Sequence, residues 1–449
     1  MKSMKPSQIA GLYFLVIAIL AFFSLVVPEG GIHLDLQWPT MSEMLELEAD
    51  TTAYDPDEPL ASVDTVAPVA IEADVVDTVT DTRYYLSSFY RSLDSTRTKA
   101  VRVVHYGDSQ IEEDRMSMTL RRDLQSRFGG GGVGLLPLHQ TIAMRTVTQG
   151  LYINGVRQTA KQGPRRHMVY GPRDFRRSDG LYGVMGQVAT MDNSLVSGSE
   201  RIEVRVSSGS DSTATERFFT RARLVADPGI TMTAKGQTVH SQQLITLPDS
   251  TRSVSLAFAG KGKVYGFSLE TPTGVMVDNI PMRGCAGAVF TSMNRQQCAD
   301  YYKATNTRLI ILQFGGNAIG NNSHATISHF VEQLRKQVQM MKECAPEASI
   351  LFIGPSDMLV RRGGKSQSNE GVAYMDRKLL RMAQEERIGY FSLYHAMGGR
   401  NSMLTWQNQN LAGNDGIHFT PNGAVKAATL LAQWLEKGRQ MTKGNKGRL

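Results

Sequence analysis

The feature that most limits the folds open to this chain is an interrupted alternation of strand and helix. A β-rich run followed by an amphipathic helix occurs near residue 100, vanishes through a long middle block, and resumes after residue 290. Residues 100–106 read Ala-Val-Arg-Val-Val-His-Tyr and end at Gly107, the pattern of a short buried strand. The next segment opens on Glu112, Glu113 and Asp114 and closes on Arg121, Arg122 and Arg127, acids at the positive end of a helix dipole and bases at the negative end. Met116, Leu120, Leu124 and Phe128 recur every four residues, giving that helix one apolar stripe. Residues 129–132, all glycine, stop it. No Lys-Ser/Thr follows them and they come after a helix, so they read as a C-cap and a flexible turn, not as a phosphate loop.

Past residue 290, strands are expected at 307–314, 349–353 and 390–393, with helices near 326–343, 372–386 and 422–436. Intact helices between buried strands call for a parallel sheet covered on both faces, an α/β fold. The middle block has another texture. Candidate strands at 202–206, 230–233, 243–247, 253–258 and 263–269 are short and separated by Gly, Pro, Asp or Ser, the spacing of a β-sandwich. That block reads as an insertion into the α/β domain.

Charge divides the chain more sharply than its net +7 implies. Residues 28–82 hold 14 acidic residues and no Lys or Arg, which leaves residues 83–449 with 47 basic against 28 acidic residues, a net +19. The acidic stretch has no sustained period and reads as a flexible tether. The basic body suits an anionic partner. Residues 9–27 are uncharged and mostly apolar behind Lys2 and Lys5, and as a helix they would span roughly 28 Å, about one bilayer core. They read as an uncleaved membrane anchor or a signal sequence; no small-x-small cleavage site is evident around residues 24–31. The leading lysines would keep the N-terminus cytoplasmic and export the remainder, which makes nucleic acid an unsuitable partner.

The three cysteines, Cys285, Cys298 and Cys344, form no C-x-x-C pair and read as small buried hydrophobes. No H-E-x-x-H or comparable ligand spacing occurs, so no metal and no cofactor are expected.

Three short segments could carry chemistry. Gly107-Asp108-Ser109 lies where a buried strand meets a helix, at the carboxyl edge where open α/β sheets bind ligands. Phe314-Gly315-Gly316-Asn317 places an amide side chain at another strand end. Asp415-Gly416-Ile417-His418 precedes the last helix, and an Asp three residues before a His can fix the imidazole tautomer so that its other nitrogen takes a proton from a serine. Singly, each is also an ordinary turn or cap composition. Together they supply a nucleophile, a base with its orienting acid, and an oxyanion donor.

These segments resemble the blocks of the SGNH (GDSL) hydrolase family. The resemblance covers residues 100–135 and 275–435 and implies Ser109 as nucleophile, Asp415 and His418 as the acid–base pair, and Asn317 as an oxyanion donor. The remaining family block, a glycine whose amide joins the oxyanion hole with that of Ser109, corresponds to Gly284 or to Gly287. Two departures stand out: Ala318 replaces the Asp that usually follows the block Asn, and 175 residues separate Ser109 from Gly284. The family's envelope peptidoglycan O-acetylesterases have a similar plan, with a carbohydrate-binding β-sandwich between the first two blocks. The resemblance implies a three-layer α/β/α flavodoxin-like domain in two parts, 83–140 and 272–449, around a sandwich at 141–271; hydropathy and charge add an anchor or signal at 1–27 and the tether at 28–82.

The expected function is a serine esterase removing acetyl groups from an envelope glycan, anchored at the inner membrane with its body in the periplasm, or secreted there. An O-acetyltransferase supplied by a membrane-bound acyltransferase would use the same residues, and a catalytically silent glycan-binding scaffold is the third expectation. Trp406 and Tyr152 are possible sugar-stacking platforms, with core or rim packing the commoner use of such residues.

Overall fold

A computed structural model of the chain describes residues 81–445 except 139, 141–142, 158–188, 193–201, 210–211, 250 and 321. The expected anchor and nearly all of the expected tether lie outside these residues. Asp81 and Thr82, assigned to the tether from sequence, instead start the body: Thr82 Oγ1 donates to the Tyr390 carbonyl at 3.2 Å, and Asp81 caps the first helical turn. Among the described residues no helix is long and apolar enough to cross a membrane.

Five strands form one parallel sheet: β1 (Ala100–Gly107), β2 (Gly274–Pro281), β3 (Thr307–Gln313), β4 (Ser349–Ile353) and β5 (Gly389–Phe391). Their order is β2-β1-β3-β4-β5, so the chain reverses direction of travel between β1 and β3. In this flavodoxin-like order the crevice at the carboxyl ends of β1 and β3 is where ligands bind. Alternate residues feed two separate cores. Val101, Val103, Leu309, Ile311 and Leu351 pack under α1 (Arg115–Phe128) and the last helix, while Val104, Tyr106, Ile310, Leu312 and Phe352 face the opposite way. That second layer comprises α2 (Arg295–Ala304), α3 (His324–Cys344) and α4 (Glu370–Glu385); the last helix is α5 (Pro421–Asn445). The period-2 alternation of fully buried strands is the physical origin of the three layers.

The strand β2 and the helix α2 are absent from the sequence reading. In β2 the apolar run stops at Asp278 and Asn279, yet both are buried: Asp278 accepts from Arg102 at 2.5 Å and from Tyr301 at 2.6 Å. The helix expected from Glu112 starts later. Ser109–Asp114 is a short 3₁₀ segment broken at Glu112, which is extended; Glu113 and Asp114 adopt left-handed φ of 58° and 66°, and α1 begins at Arg115. The acids therefore do not serve the helix dipole; Glu112 pairs with Arg283 and Asp114 with Arg121.

The middle block is antiparallel, with one correction. The two strands expected at 253–258 and 263–269 are a single strand, Ser253–Glu270, bent at Gly260 and Gly262. Its first half pairs with Ile202–Ser208 and Ile230–Ala234, its second with Arg221–Ala226 and Gly134–Leu136. At Gly260, with φ of 108°, a Cβ would lie 2.0 Å from the Gly229 carbonyl oxygen, so only glycine permits the bend. Both halves bury side chains in one cluster that includes Leu136, Val204, Leu224, Leu256 and Phe267. Because Gly134–Leu136 joins this ladder, the insertion's structure begins before residue 141.

The glycines after α1 also have a different reason. Gly129 caps the helix by donating to Gln125 at 2.9 Å. Gly130 and Gly132 then thread between β2 and the insertion, where added Cβ atoms would lie 2.6 Å from Val275 and 2.3 Å from Leu269 backbone. Close approach, rather than flexibility, requires them.

Candidate active site

The parallel register aligns the ends of three strands, pairing Gly107 with Pro281 on one side and with Gln313 on the other. One short turn past each end stand Ser109, Gly284 and Asn317. Ser109 opens the 3₁₀ segment, whose N-cap Asp108 accepts from the Gln110 amide at 2.9 Å. Met282 N–H donates to the Gly107 carbonyl at 2.9 Å, tying the Gly284 turn to the Ser109 turn.

Ser109 Oγ lies 2.8 Å from His418 Nε2, and His418 Nδ1 lies 2.6 Å from Asp415 Oδ2. A carboxylate only accepts, so Nδ1 carries the ring proton and Nε2 is left to accept from the serine hydroxyl. The other Asp415 oxygen accepts from the Ile417 and His418 amides, each at 3.0 Å. Burial works against the Asp415 charge, but the hydrogen bonds from the His418 ring and these amides hold its carboxyl below the ordinary value. Gln110 locks the two loops together: its Nε2 donates to the Ile417 carbonyl at 2.7 Å.

Asn317 Nδ2 donates to Asp108 Oδ2 at 3.1 Å and to the Cys285 carbonyl at 3.2 Å. Its amide therefore sits between the Ser109 turn and the Gly284 turn. Asp108 is 5% exposed, and burial pushes its carboxyl up to about 6, with the Gln110 amide and the His418 ring opposing. Ala318, which stands where the family usually has Asp, is fully buried beside Ile319 and fills the core.

The two glycines left open by sequence differ in kind. A Cβ at Gly287 would lie 2.7 Å from Phe314 and Leu334, and its amide donates to Cys285 Sγ at 3.2 Å. Gly284, with φ of 69°, faces open space. Trp406 takes the commoner role, core packing, and is no stacking platform: it is 2% exposed and donates to the Met397 carbonyl. Tyr152 is half-buried with the Arg205 guanidinium 4.1 Å from its ring centre. The three cysteines are buried and free, as expected. Among the described residues no cluster of His, Cys, Asp and Glu could hold a metal.

A hydroxyl held on an oriented imidazole can attack a carbonyl carbon, with amide donors beside it for the developing oxyanion. The GDSL-like lipase/acylhydrolase family profile matches residues 259–425. This match and the Ser109–His418–Asp415 geometry support a serine hydrolase of SGNH type that acts on esters. The matched span includes Asn317, Asp415 and His418 and omits Ser109, which the insertion separates from it. The intact Ser109–His418–Asp415 line counts against the silent scaffold.

Among solved structures, a peptidoglycan O-acetylesterase superposes with a TM-score of 0.63 at 22% identity, over 80% of this chain and 96% of that one. The breadth of the match takes in the insertion as well as the hydrolase sheet. A carbohydrate acetylesterase from Sinorhizobium meliloti matches at 11% identity over 36% of this chain and 79% of its own, with a TM-score of 0.28. No curated protein sequence matches the chain.

Residues whose part in the site's geometry the sequence does not reveal are Asp108, Gln110 and the Glu112–Arg283 pair. Their partners lie far away in sequence. The one local signal was their adjacency to Ser109 and Gly284.

Proposed function

We propose that the protein is a serine esterase that removes O-acetyl groups from a peptidoglycan-like envelope polysaccharide through an acetyl-enzyme intermediate. The observation that carries this reading is the unbroken line from Ser109 Oγ through His418 to Asp415, with links of 2.8 and 2.6 Å. Ser109 Oγ attacks the acetyl carbonyl carbon as His418 Nε2 takes its proton. The oxyanion is received by the amides of Ser109 and Gly284 and by the Asn317 side chain. Gly284 is preferred to Gly287 because its amide has no partner among the described residues, whereas that of Gly287 is taken by Cys285 Sγ. His418 returns the proton to the departing sugar oxygen, which leaves acetyl on Ser109. Water, deprotonated by His418, then attacks the acetyl-enzyme and releases acetate. Asp415 stays ionised throughout and stabilises the imidazolium.

The glycan assignment draws support from the shape shared with a peptidoglycan O-acetylesterase and from the net +19 of residues 83–449. We place the enzyme at the cell envelope, in the periplasm, on the strength of the apolar residues 9–27, and assign glycan binding to the antiparallel insertion. Transfer of the acetyl group to a sugar hydroxyl would need a donor such as a membrane-bound acyltransferase. No feature of the described residues favours that acceptor over water.

Acetate release from O-acetylated peptidoglycan tests the reading. The wild-type protein is expected to release it, and Ser109→Ala to lose at least about 10³-fold while keeping its melting temperature. Undiminished release by Ser109→Ala would remove Ser109 from the mechanism, and acetylated acceptor sugar in place of acetate would make the protein a transferase.

A further inference from the structure

Between β4 and α4 the chain forms a two-stranded hairpin, Leu359–Arg362 against Lys365–Ser368. Its two-residue loop is Gly363-Gly364, with φ of 59° and 77°, the left-handed pair that a tight hairpin turn demands. The turn holds three exposed cations together: Arg361, Arg362 and Lys365. Arg362 and Lys365 are direct cross-strand partners. Like charges so placed destabilise a hairpin. Some other exposed arginines have acids, as in Arg295 with Glu343 and Arg381 with Glu385. Among the described residues, the three hairpin cations have none.

The hairpin's root belongs to the active-site rim. Leu359 N–H donates to the Gly416 carbonyl at 3.0 Å, inside the loop that carries Asp415 and His418. Asn369 N–H donates to the Met358 carbonyl at 2.7 Å, and Met358 Sδ lies 3.7 Å from the Cβ position of Gly316, the neighbour of Asn317. A strand advances about 3.3 Å per residue, so the cations stand roughly 10 Å beyond that root. A second guanidinium, Arg283, stands beside Gly284, but Glu112 neutralises it. Of these two groups of described cations, it is the hairpin's that has no acid partner.

We propose that the hairpin Leu359–Ser368 is an anion-recognising rim of the active site, where Arg361, Arg362 and Lys365 take carboxylates of the substrate glycan or its attached peptides. The proposal rests on the glycan-esterase reading and names the charge class of its substrate. A neutral acetylated sugar gives these cations no partner, whereas a carboxylate-bearing polymer relieves their mutual repulsion. A small ester does not reach them.

The test compares the full chain with its R361Q/R362Q/K365Q variant on 4-nitrophenyl acetate, on O-acetylated peptidoglycan, and on that glycan with its carboxylates converted to methylamides. The expected result is kcat/KM within twofold on 4-nitrophenyl acetate and at least a tenfold loss on the native glycan for the variant. Amidation should bring the wild-type protein down to the variant's level and leave the variant unchanged. Equal glycan turnover by both proteins overturns the hairpin proposal alone. So does loss of binding to phosphatidylglycerol vesicles with glycan turnover intact, which would make the hairpin a lipid contact. Hydrolysis of 4-nitrophenyl acetate without acetate release from glycan by either protein overturns the glycan reading itself.

Discussion

Asp108 lies between β1 and Ser109, with one oxygen on the Gln110 amide and the other on the Asn317 side chain. Burial raises its carboxyl from an ordinary 3.8 to about 6, so the folded protein holds this proton more tightly than the unfolded chain does. The charge therefore leaves stability untouched below about pH 4, lowers it progressively as pH rises, and acts in full above about pH 6, on the order of 3 kcal/mol. Asp108→Asn should gain melting temperature relative to wild type as pH is raised from 4 to 7.5; a pH-independent difference would mean that Asp108 is not held in this way. Asn317→Ala should lower kcat about 10²–10³-fold with little change in KM, because the donor acts on charge that develops only in the transition state. Steady-state kinetics on 4-nitrophenyl acetate measures that split, and an effect on KM alone would assign Asn317 to substrate binding. Ser109, Asn317, Asp415 and His418 were legible in the sequence because each is a chemically distinctive residue beside a strand end or helix start. Asp108 and Gln110 were not, since their roles are set by Asn317 and Ile417, distant in sequence.

At the scale of elements, the long helices announced themselves through their 3.6-residue period, as the apolar face of α3 illustrates with Ile327, Val331, Leu334, Val338 and Met341 buried, whereas the ten-residue α2 did not. Strands with buried polar residues did not. Asp278 ends the apolar run of β2 only because Arg102, on the neighbouring strand, needs a carboxylate. Glycine was ambiguous in the same way, since Gly260 and Gly262 look like a turn and instead bend a continuous strand. The turn after α1 tests the close-approach account. Gly132→Ala meets backbone at 2.3 Å in addition to its own φ of 80° and should destabilise by more than Gly129→Ala, which has nothing within 4 Å and loses only about 1–3 kcal/mol for its φ of 75° and ψ of −174°. Urea unfolding of both variants checks the order, and equal losses would contradict it.

Across the whole molecule, buried ion networks fasten the insertion to the hydrolase body. Arg121 is fully buried and binds Asp114 at 2.5 Å, while Glu216 of the insertion reaches Arg121 and, at 3.0 Å, Arg122. Thr146 also donates to Asp114, so the segment that begins at Ser109 is anchored from both sides. On the other face of the sheet, Arg102 joins Asp278 to Glu270, which also accepts from Arg223. Removing one partner strands the others without compensation. Arg121→Met should therefore cost about 3–5 kcal/mol, read from chemical denaturation, and the native protein should melt in one transition. Separate melting of insertion and body would contradict this coupling. None of these pairings could be read from sequence, because they join residues up to 176 positions apart.

The central claim is that acetyl groups pass through Ser109. Acid-quenching the enzyme during turnover of O-acetylated glycan fragments, followed by peptide mass mapping, tests it most directly. An acetyl group is expected on the peptide containing Ser109, confined to that serine and absent from Ser109→Ala. Acetate accumulating with no such adduct in a quench taken within the first turnover, or an equal adduct in Ser109→Ala, would contradict it.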